Sequence, residues 1–193
     1  MRLEVLNRGY GPGTKMLFAV IRLVSRHAVP DAAKLAFYRP DFYGARAKEF
    51  THEAMRGPSA WSVGDRELMA AYVSQANGCA FCVGAHTATA RQAYQDGPKV
   101  TAVLADLESA PVGDGLRATL RMLGKLTGEG KVGAEDMRQV LAAGVSRQQV
   151  EDALAVCATF NTTNRLADTF GFEMLGPEGF EAGAKHLLKR GYR

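Results

Sequence analysis

The chain has 193 residues, of which 47% are hydrophobic and 23% charged, with 21 glycines and 7 prolines. This composition is typical of one compact globular domain and excludes a fibrous or intrinsically disordered protein. The formal net charge of +4 is modest, and basic and acidic residues are interspersed, so we expect no nucleic-acid partner.

The most apolar early stretch runs from Met16 to Val24. Arg22 interrupts it, and it is well short of the roughly 20 residues that a membrane span needs. No small-residue cleavage site follows an uninterrupted apolar region, which disfavours a secretory signal. Three cysteines are also too few for a secreted disulfide framework. We therefore expect a cytoplasmic location and no membrane association.

The segments between the Gly and Pro interruptions are mostly of helical length and rich in good helix formers, with little period-two alternation. The pattern predicts an all-α fold. Residues 1–57 include a predicted turn at 39–44 and carry no assignable motif. We interpret them as a helical extension that packs on a core at 58–193, or that covers an oligomer interface, within one compact domain.

Helix start signals define the later elements. Ser62 predicts a helix that ends near Asn77, and the next helix is expected to begin close to Cys79 and continue towards Tyr94. Ser146, with a Gln three residues later, predicts another long helix through a reciprocal cap.

The helix that begins at Cys79 carries the chemistry. Cys79, Cys82 and His86 fall within an arc of about 60° on one helical face, and residues three apart can close a disulfide. The helix N-terminus favours thiolate. Because His86 lies one turn beyond Cys82 and can take its proton, we assign Cys82 as the attacking and Cys79 as the resolving cysteine.

These residue types suit a peroxide reaction. Attack of Cys82 on an O–O bond leaves a sulfenic acid, Cys79 condenses with it, and an external dithiol must reduce the resulting disulfide. Glu67, on the preceding helix, is the favoured candidate to orient His86, although spacing alone does not place it.

Other interpretations of the same residues stay open. Two cysteines, a histidine and a glutamate also form a legal zinc ligand set, and the two cysteines fit buried thiols without a function. A thioredoxin-like protein is disfavoured because no βαβ pattern surrounds the pair. The third cysteine, Cys157, lies on the buried stripe of the Ser146 helix and is interpreted as a core thiol.

The run from Glu67 to His86 resembles the Glu-x11-Cys-x2-Cys-x3-His signature of alkyl hydroperoxidase D and its carboxymuconolactone decarboxylase-like relatives. A second segment, 160–171, resembles the closing helix of the peroxidase-related branch, and the matches together cover roughly residues 58–176. The resemblance implies an all-helical fold that assembles into dimers, trimers or hexamers. It also implies Glu67 and His86 as a proton relay, Cys82 as the residue that forms the sulfenic acid, and Cys79 as its partner.

The resemblance further implies a hydroperoxide substrate and a thiol or lipoyl-type reductant protein, with no bound cofactor or metal. One position departs from the family pattern: the residue before the second cysteine, a relay histidine in the best-known members, is Phe81. Phe81 cannot carry a proton, so we expect a slower or differently tuned peroxidase. The intact cysteine pair argues against lactone decarboxylation.

The leading hypothesis is therefore a thiol-dependent peroxidase. The alternatives are a thiol-disulfide reductase that does not use peroxide, and a zinc-binding or purely oligomeric protein. Asn164, Arg165 and Asp168 either line the same pocket or pair structurally, and an ion pair of Arg165 with Asp168 is the favoured interpretation.

Overall fold

The computed structural model describes residues 4–38 and 40–192, apart from the side chains of Phe42 and Tyr43. This part of the chain is helical and contains no strand, which confirms the all-α prediction. The α-helices are α1 (Val5–Arg8), α2 (Pro12–Ser25), α3 (Asp31–Phe37), α4 (Ala45–Arg56), α5 (Val63–Ala76), α6 (Ala80–Tyr94), α7 (Gly97–Ala105), α8 (Asp114–Glu129), α9 (Ala134–Ala142), α10 (Arg147–Phe170) and α11 (Pro177–Arg190).

A single π-helical turn, Pro40–Gly44, connects α3 to α4 where the sequence predicts a turn. Arg39, the first residue of the predicted turn, lies outside the described residues. A Cβ at Gly44 would lie 1.8 Å from the carbonyl oxygen of Ala36, so only glycine allows this approach of the turn to α3. The turn directs α4 onto α10.

Helix α2 lies on the surface and has no buried residue. Its Phe18 ring packs edge-on against the rings of Tyr10 and Phe37, at centroid distances of 5.1 and 5.5 Å. The opposite face of α2 exposes apolar side chains: Met16, Leu17, Val20, Leu23 and Val24. In the described ranges, every helix is too short or too polar to cross a membrane.

Helix α5 is at the centre of the molecule and packs against α6, α8 and α10. Ser62 and Asp65 form its predicted N-terminal cap, each side chain accepting a hydrogen bond from the backbone N–H of the other. Beyond its end at Ala76, Gly78 adopts a φ of +71°, a backbone conformation that glycine favours. This turn starts α6 at Ala80, as predicted, and packs α6 along α5.

Two later helices complete the surroundings of α6. Helix α10 begins with the predicted cap between Ser146 and Gln149 and runs past α5, α4 and α8. Helix α11 packs on α6 so closely that a Cβ at Gly84 would lie 2.7 Å from the ring of Phe180. The N-terminal half of α6 is therefore enclosed between α5, α10 and α11.

Candidate functional site

The two cysteines of the motif lie at the start of α6. Cys79 is the residue that caps the helix, and Cys82 is in its first turn. Both are free thiols, and their residues are 0% and 2% exposed. An apolar cluster surrounds them, formed by Phe81 and Ala167 with the partly buried Phe172, Leu175 and Phe180. The thiols are therefore close together and shielded from water by the segment between α10 and α11.

The two thiols have different acidities. A hydrogen bond from the Cys82 thiol lowers the pKa of Cys79 more than burial raises it, and the backbone N–H of Cys82 acts in the same direction. The same hydrogen bond raises the pKa of Cys82, as do burial and the charge of Asp168. In the resting dithiol, the first thiolate therefore forms on Cys79.

His86 lies one turn after Cys82 on α6, and Glu67 reaches it from α5. The Nδ1 atom of His86 is 2.7 Å from Oε2 of Glu67, and the two residues are 5% and 0% exposed. Burial alone would raise the pKa of Glu67, but the hydrogen bond from His86 and the charge and hydrogen bond of Arg56 hold it below its usual value. Because an ionised carboxylate only accepts, His86 donates through Nδ1, which leaves the Nε2 lone pair as a base.

Two residues outside the sequence motif complete the surroundings of Glu67. Arg56 Nη2 and the Tyr192 hydroxyl donate to Oε1 of Glu67 at 2.6 and 2.8 Å. The Arg56 guanidinium also lies over the Tyr192 ring, 5.1 Å from its centroid. Burial and the charge of Glu67 raise the pKa of Tyr192 well above its usual value, so it remains a donor. Each oxygen of Glu67 therefore has a defined partner.

Sequence reasoning did not identify Arg56 or Tyr192. Arg56 lies just before the predicted core boundary at residue 58, and Tyr192 lies near the end of the chain. The available signal was indirect, because a buried carboxylate requires a cation or several donors. The identity of those donors depends on how α4 and α11 pack, which no local pattern specifies.

One face of α10 borders the same site. The Phe160 ring lies edge-on to the His86 ring, 4.3 Å between centroids. Two turns later, Asp168 lies near enough to Cys79 to raise the pKa of that thiol; Asp168 and Arg165 are both exposed. Among the described residues no ion pair joins Arg165 to Asp168, so the favoured interpretation of these two side chains is not found in the structure.

The third cysteine lies elsewhere and agrees with its predicted role. Cys157 is buried in the main core, its thiol is 3.2 Å from Nδ2 of Asn161 and 3.6 Å from the Thr127 hydroxyl, and burial raises its pKa. Within residues 4–38 and 40–192, no group of three or more His, Cys, Asp or Glu is arranged to hold a metal ion. The zinc hypothesis therefore finds no ligand set there.

Comparison with known proteins agrees with this architecture. The model of the carboxymuconolactone decarboxylase family matches residues 40–125, a range that contains Glu67, both motif cysteines and His86 and begins before the predicted core boundary. No curated protein matches the chain.

Solved structures match over nearly the whole length. An uncharacterised peroxidase-related protein from Silicibacter sp. TM1040 is 22% identical, with a TM-score of 0.76, over 90% of this chain and 92% of its own. An uncharacterised peroxidase-related protein with an alkylhydroperoxidase AhpD core, from Ralstonia eutropha JMP134, is 23% identical, with a TM-score of 0.73, over 91% and 92%. The debrominase Bmp8 is 14% identical, with a TM-score of 0.69, over 92% and 94%. These matches confirm the predicted all-helical fold, and the family-model match over residues 40–125 supports the resemblance.

Proposed function

We propose that this carboxymuconolactone decarboxylase-like chain is a thiol-dependent peroxidase that reduces hydroperoxides through Cys79 and Cys82, with Glu67 and His86 as its proton relay. The observation that carries the proposal is the buried hydrogen bond of 2.7 Å between His86 and Glu67, one helical turn from a buried cysteine pair. A general base held in one tautomer beside thiols is what nucleophilic thiol chemistry requires.

In the proposed reaction, His86 Nε2 takes the proton of Cys82, and the Cys82 thiolate attacks the peroxide. An S–O bond forms, the O–O bond breaks, and the sulfur loses two electrons to the departing oxygen. His86 returns the proton to that oxygen, which leaves as an alcohol or water. Cys79 then attacks the sulfenic sulfur: the S–S bond forms, the S–O bond breaks, and the hydroxyl leaves as water, with its proton from the Cys79 thiol or, where Cys79 is already ionised, from solvent.

The identity of the attacking cysteine rests on two observations that point in opposite directions. The spacing to His86 favours Cys82, whereas the hydrogen bond between the thiols places the first negative charge on Cys79. We propose Cys82 as the attacking residue because only Cys82 lies one turn from the base. Transfer of its proton to His86 then creates the thiolate that attacks the peroxide.

The resulting disulfide stores two electrons that an external dithiol must return by thiol-disulfide exchange. We propose a thiol or lipoyl-type reductant protein for this step and no bound cofactor. The aromatic side chains of Phe81, Phe172 and Phe180 pack together beside the cysteines, so the reductant must displace part of this cover to reach the sulfur atoms.

The first experiment measures peroxide consumption with a dithiol reductant. We expect turnover by the wild-type protein and by Cys157→Ala, the matched control that removes the core thiol, and loss of turnover in Cys79→Ala and Cys82→Ala. Wild-type turnover by Cys82→Ala contradicts the mechanism. Disulfide mapping by mass spectrometry after one equivalent of peroxide should link Cys79 to Cys82 and leave Cys157 free.

A second experiment separates the two cysteine assignments. A sulfenic-acid trap such as dimedone is added with peroxide to Cys79→Ser and to Cys82→Ser. We expect the trapped adduct on Cys82 in the first variant and none on Cys79 in the second. The reverse pattern assigns the attack to Cys79, in agreement with the acidity of the resting pair.

A second candidate function follows from the structural similarity to the debrominase Bmp8, of which one structure contains 2,3,4-tribromopyrrole. A dithiol that supplies two electrons can reduce a carbon–bromine bond as well as an O–O bond, and the disulfide is the oxidised product in both cases. Release of bromide from a bromopyrrole, measured beside the peroxide assay, distinguishes the two substrates. If neither substrate reacts while disulfide exchange proceeds, the protein is a thiol-disulfide reductase.

A further inference from the structure

The side-chain amide of Asn164 is buried without a complete set of partners. Asn164 is 0% exposed, its Oδ1 accepts a hydrogen bond of 3.1 Å from the Ser74 hydroxyl, and its Nδ2 has no partner among the described residues. Exchanging the amide oxygen and nitrogen would leave the oxygen unpaired instead, because Ser74 offers one hydroxyl. An unpaired buried polar group is destabilising, and such groups often have a functional reason.

The amide lies on the face of α10 that borders the site. Residues four apart on a helix share a face, so Asn164 stands between Phe160 and Asp168. Phe160 contacts the His86 ring, and Asp168 lies near enough to Cys79 for its charge to raise the pKa of that thiol. Asn164 therefore occupies the level of the helix between the base and the cysteine pair.

A neighbouring element fixes the same position. Ser74, which holds the amide oxygen, also accepts the backbone N–H of Cys79 at its carbonyl, at 3.0 Å. On α10, Ala167 packs against Cys79 and Cys82 in their apolar cluster. The Ser74 contact and the position of Ala167 thus place Asn164 beside the start of α6, where the cysteine pair lies.

We propose that Asn164 Nδ2 donates a hydrogen bond to the peroxide oxygen that departs when the cysteine attacks, a role that rests on the proposed function. As the S–O bond forms and the O–O bond breaks, the departing oxygen gains the electron pair and a negative charge. A fixed donor in a water-poor site stabilises that charge until His86 supplies the proton. The unpaired amide is thus a preformed donor for this oxygen.

The test uses Asn164→Leu, which removes the amide and keeps a similar volume. We expect kcat for peroxide reduction to fall by about 10²-fold, the size seen when one donor to a developing oxyanion is removed, with a smaller change in KM. Oxidation of the same cysteines by an aromatic disulfide reagent should be unchanged, because its leaving group is a sulfur anion that accepts hydrogen bonds weakly. Thr159→Val is the matched control, a buried hydroxyl on the same helix that bonds to Ala155.

Three outcomes overturn the proposal. Wild-type peroxide turnover by Asn164→Leu shows that the donor has no role, and an equal loss of the peroxide and disulfide reactions shows a structural role only. A wild-type protein that does not reduce peroxide contradicts the proposed function, and this role with it. If Asn164→Leu does not fold, the double variant Ser74→Ala/Asn164→Leu is used in the same assays. It removes both hydrogen-bonding groups together, so that the Ser74 hydroxyl is not left without its partner.

Discussion

Replacing Glu67 with Gln tests whether its charge fixes the protonation of His86. Gln has nearly the same shape, and its carbonyl oxygen can still accept from Arg56 and Tyr192 at the position of Oε1. Its amide nitrogen would then face Nδ1 of His86, where the carboxylate oxygen lies 2.7 Å away. An amide N–H donates, so Nδ1 must accept and the ring proton moves to Nε2. The base is then blocked although the site keeps its shape.

The expected magnitudes follow from the loss of a base and of a buried charge. General-base catalysis contributes about 10²- to 10⁴-fold to a rate, so kcat for peroxide reduction should fall by that factor. Glu67 is fully buried and the Arg56 side chain is 11% exposed, and removing one partner of such a pair costs about 3–5 kcal/mol. Because Gln keeps two hydrogen bonds, we expect the lower end of this range, or a fall in Tm of about 6–12 °C for a chain of this length.

The assay combines initial rates of dithiol-dependent peroxide consumption with thermal unfolding followed by circular dichroism. Glu108→Gln is the matched control, the same change in an exposed ion pair with Arg121, and should alter neither rate nor Tm measurably. A Glu67→Gln protein that is folded at the assay temperature and reduces peroxide within threefold of the wild-type rate refutes the relay. An unchanged Tm refutes the inferred ionisation of Glu67.

Three further predictions concern neighbouring features. The lowered pKa of Glu67 gives stability that is present above its ordinary pKa of 4.5 and is lost as pH falls through the pKa of the folded state. Tyr192→Phe removes one donor to Glu67 and so makes that pKa less depressed. The midpoint of acid unfolding should therefore move to higher pH. An unmoved midpoint contradicts this. The rate of alkylation at each cysteine, followed by mass spectrometry as pH rises, reports where its thiolate forms. For Cys79 we expect a midpoint below the ordinary pKa of 9.0. Alkylation of Cys82 at a lower pH than Cys79 contradicts the acidity order of the two thiols. The resemblance predicts a homo-oligomer, and exposed apolar patches are typical contact sites. Leu23→Glu on α2 should therefore lower the mass of the protein measured by light scattering. An unchanged oligomeric mass places the subunit contact on another surface.

The helical order was predictable because its signals are local. The caps at Ser62 and Ser146 and the turn at Gly78 lie within a few residues of the elements they define. The pairing of Glu67 with His86 was predictable only through the family spacing, since the two residues lie on separate helices. Cys82 and His86 lie one turn apart on α6, whereas Cys79 precedes the helix as its N-cap residue with extended backbone.

The remaining features of the site depend on long-range packing. Arg56 lies 11 residues before Glu67 and Tyr192 lies 125 residues after it, and both donate to the same carboxylate. The acidity of the two cysteines depends on which thiol donates to the other. Whether Asp168 and Asn164 lie near the site depends on how α10 packs against α6. Hydrophobic periodicity predicts which face of a helix is buried, but not which polar groups meet there.

The contact of Tyr192 with Glu67 links the relay to a segment that is distant in sequence. Glu67 lies on α5, whereas Tyr192 follows α11 and comes 125 residues later in the chain. The relay therefore gains its full set of hydrogen bonds only when α11 is packed on α6. A substitution that loosens α11 would remove a donor from Glu67 although every residue of the motif is intact.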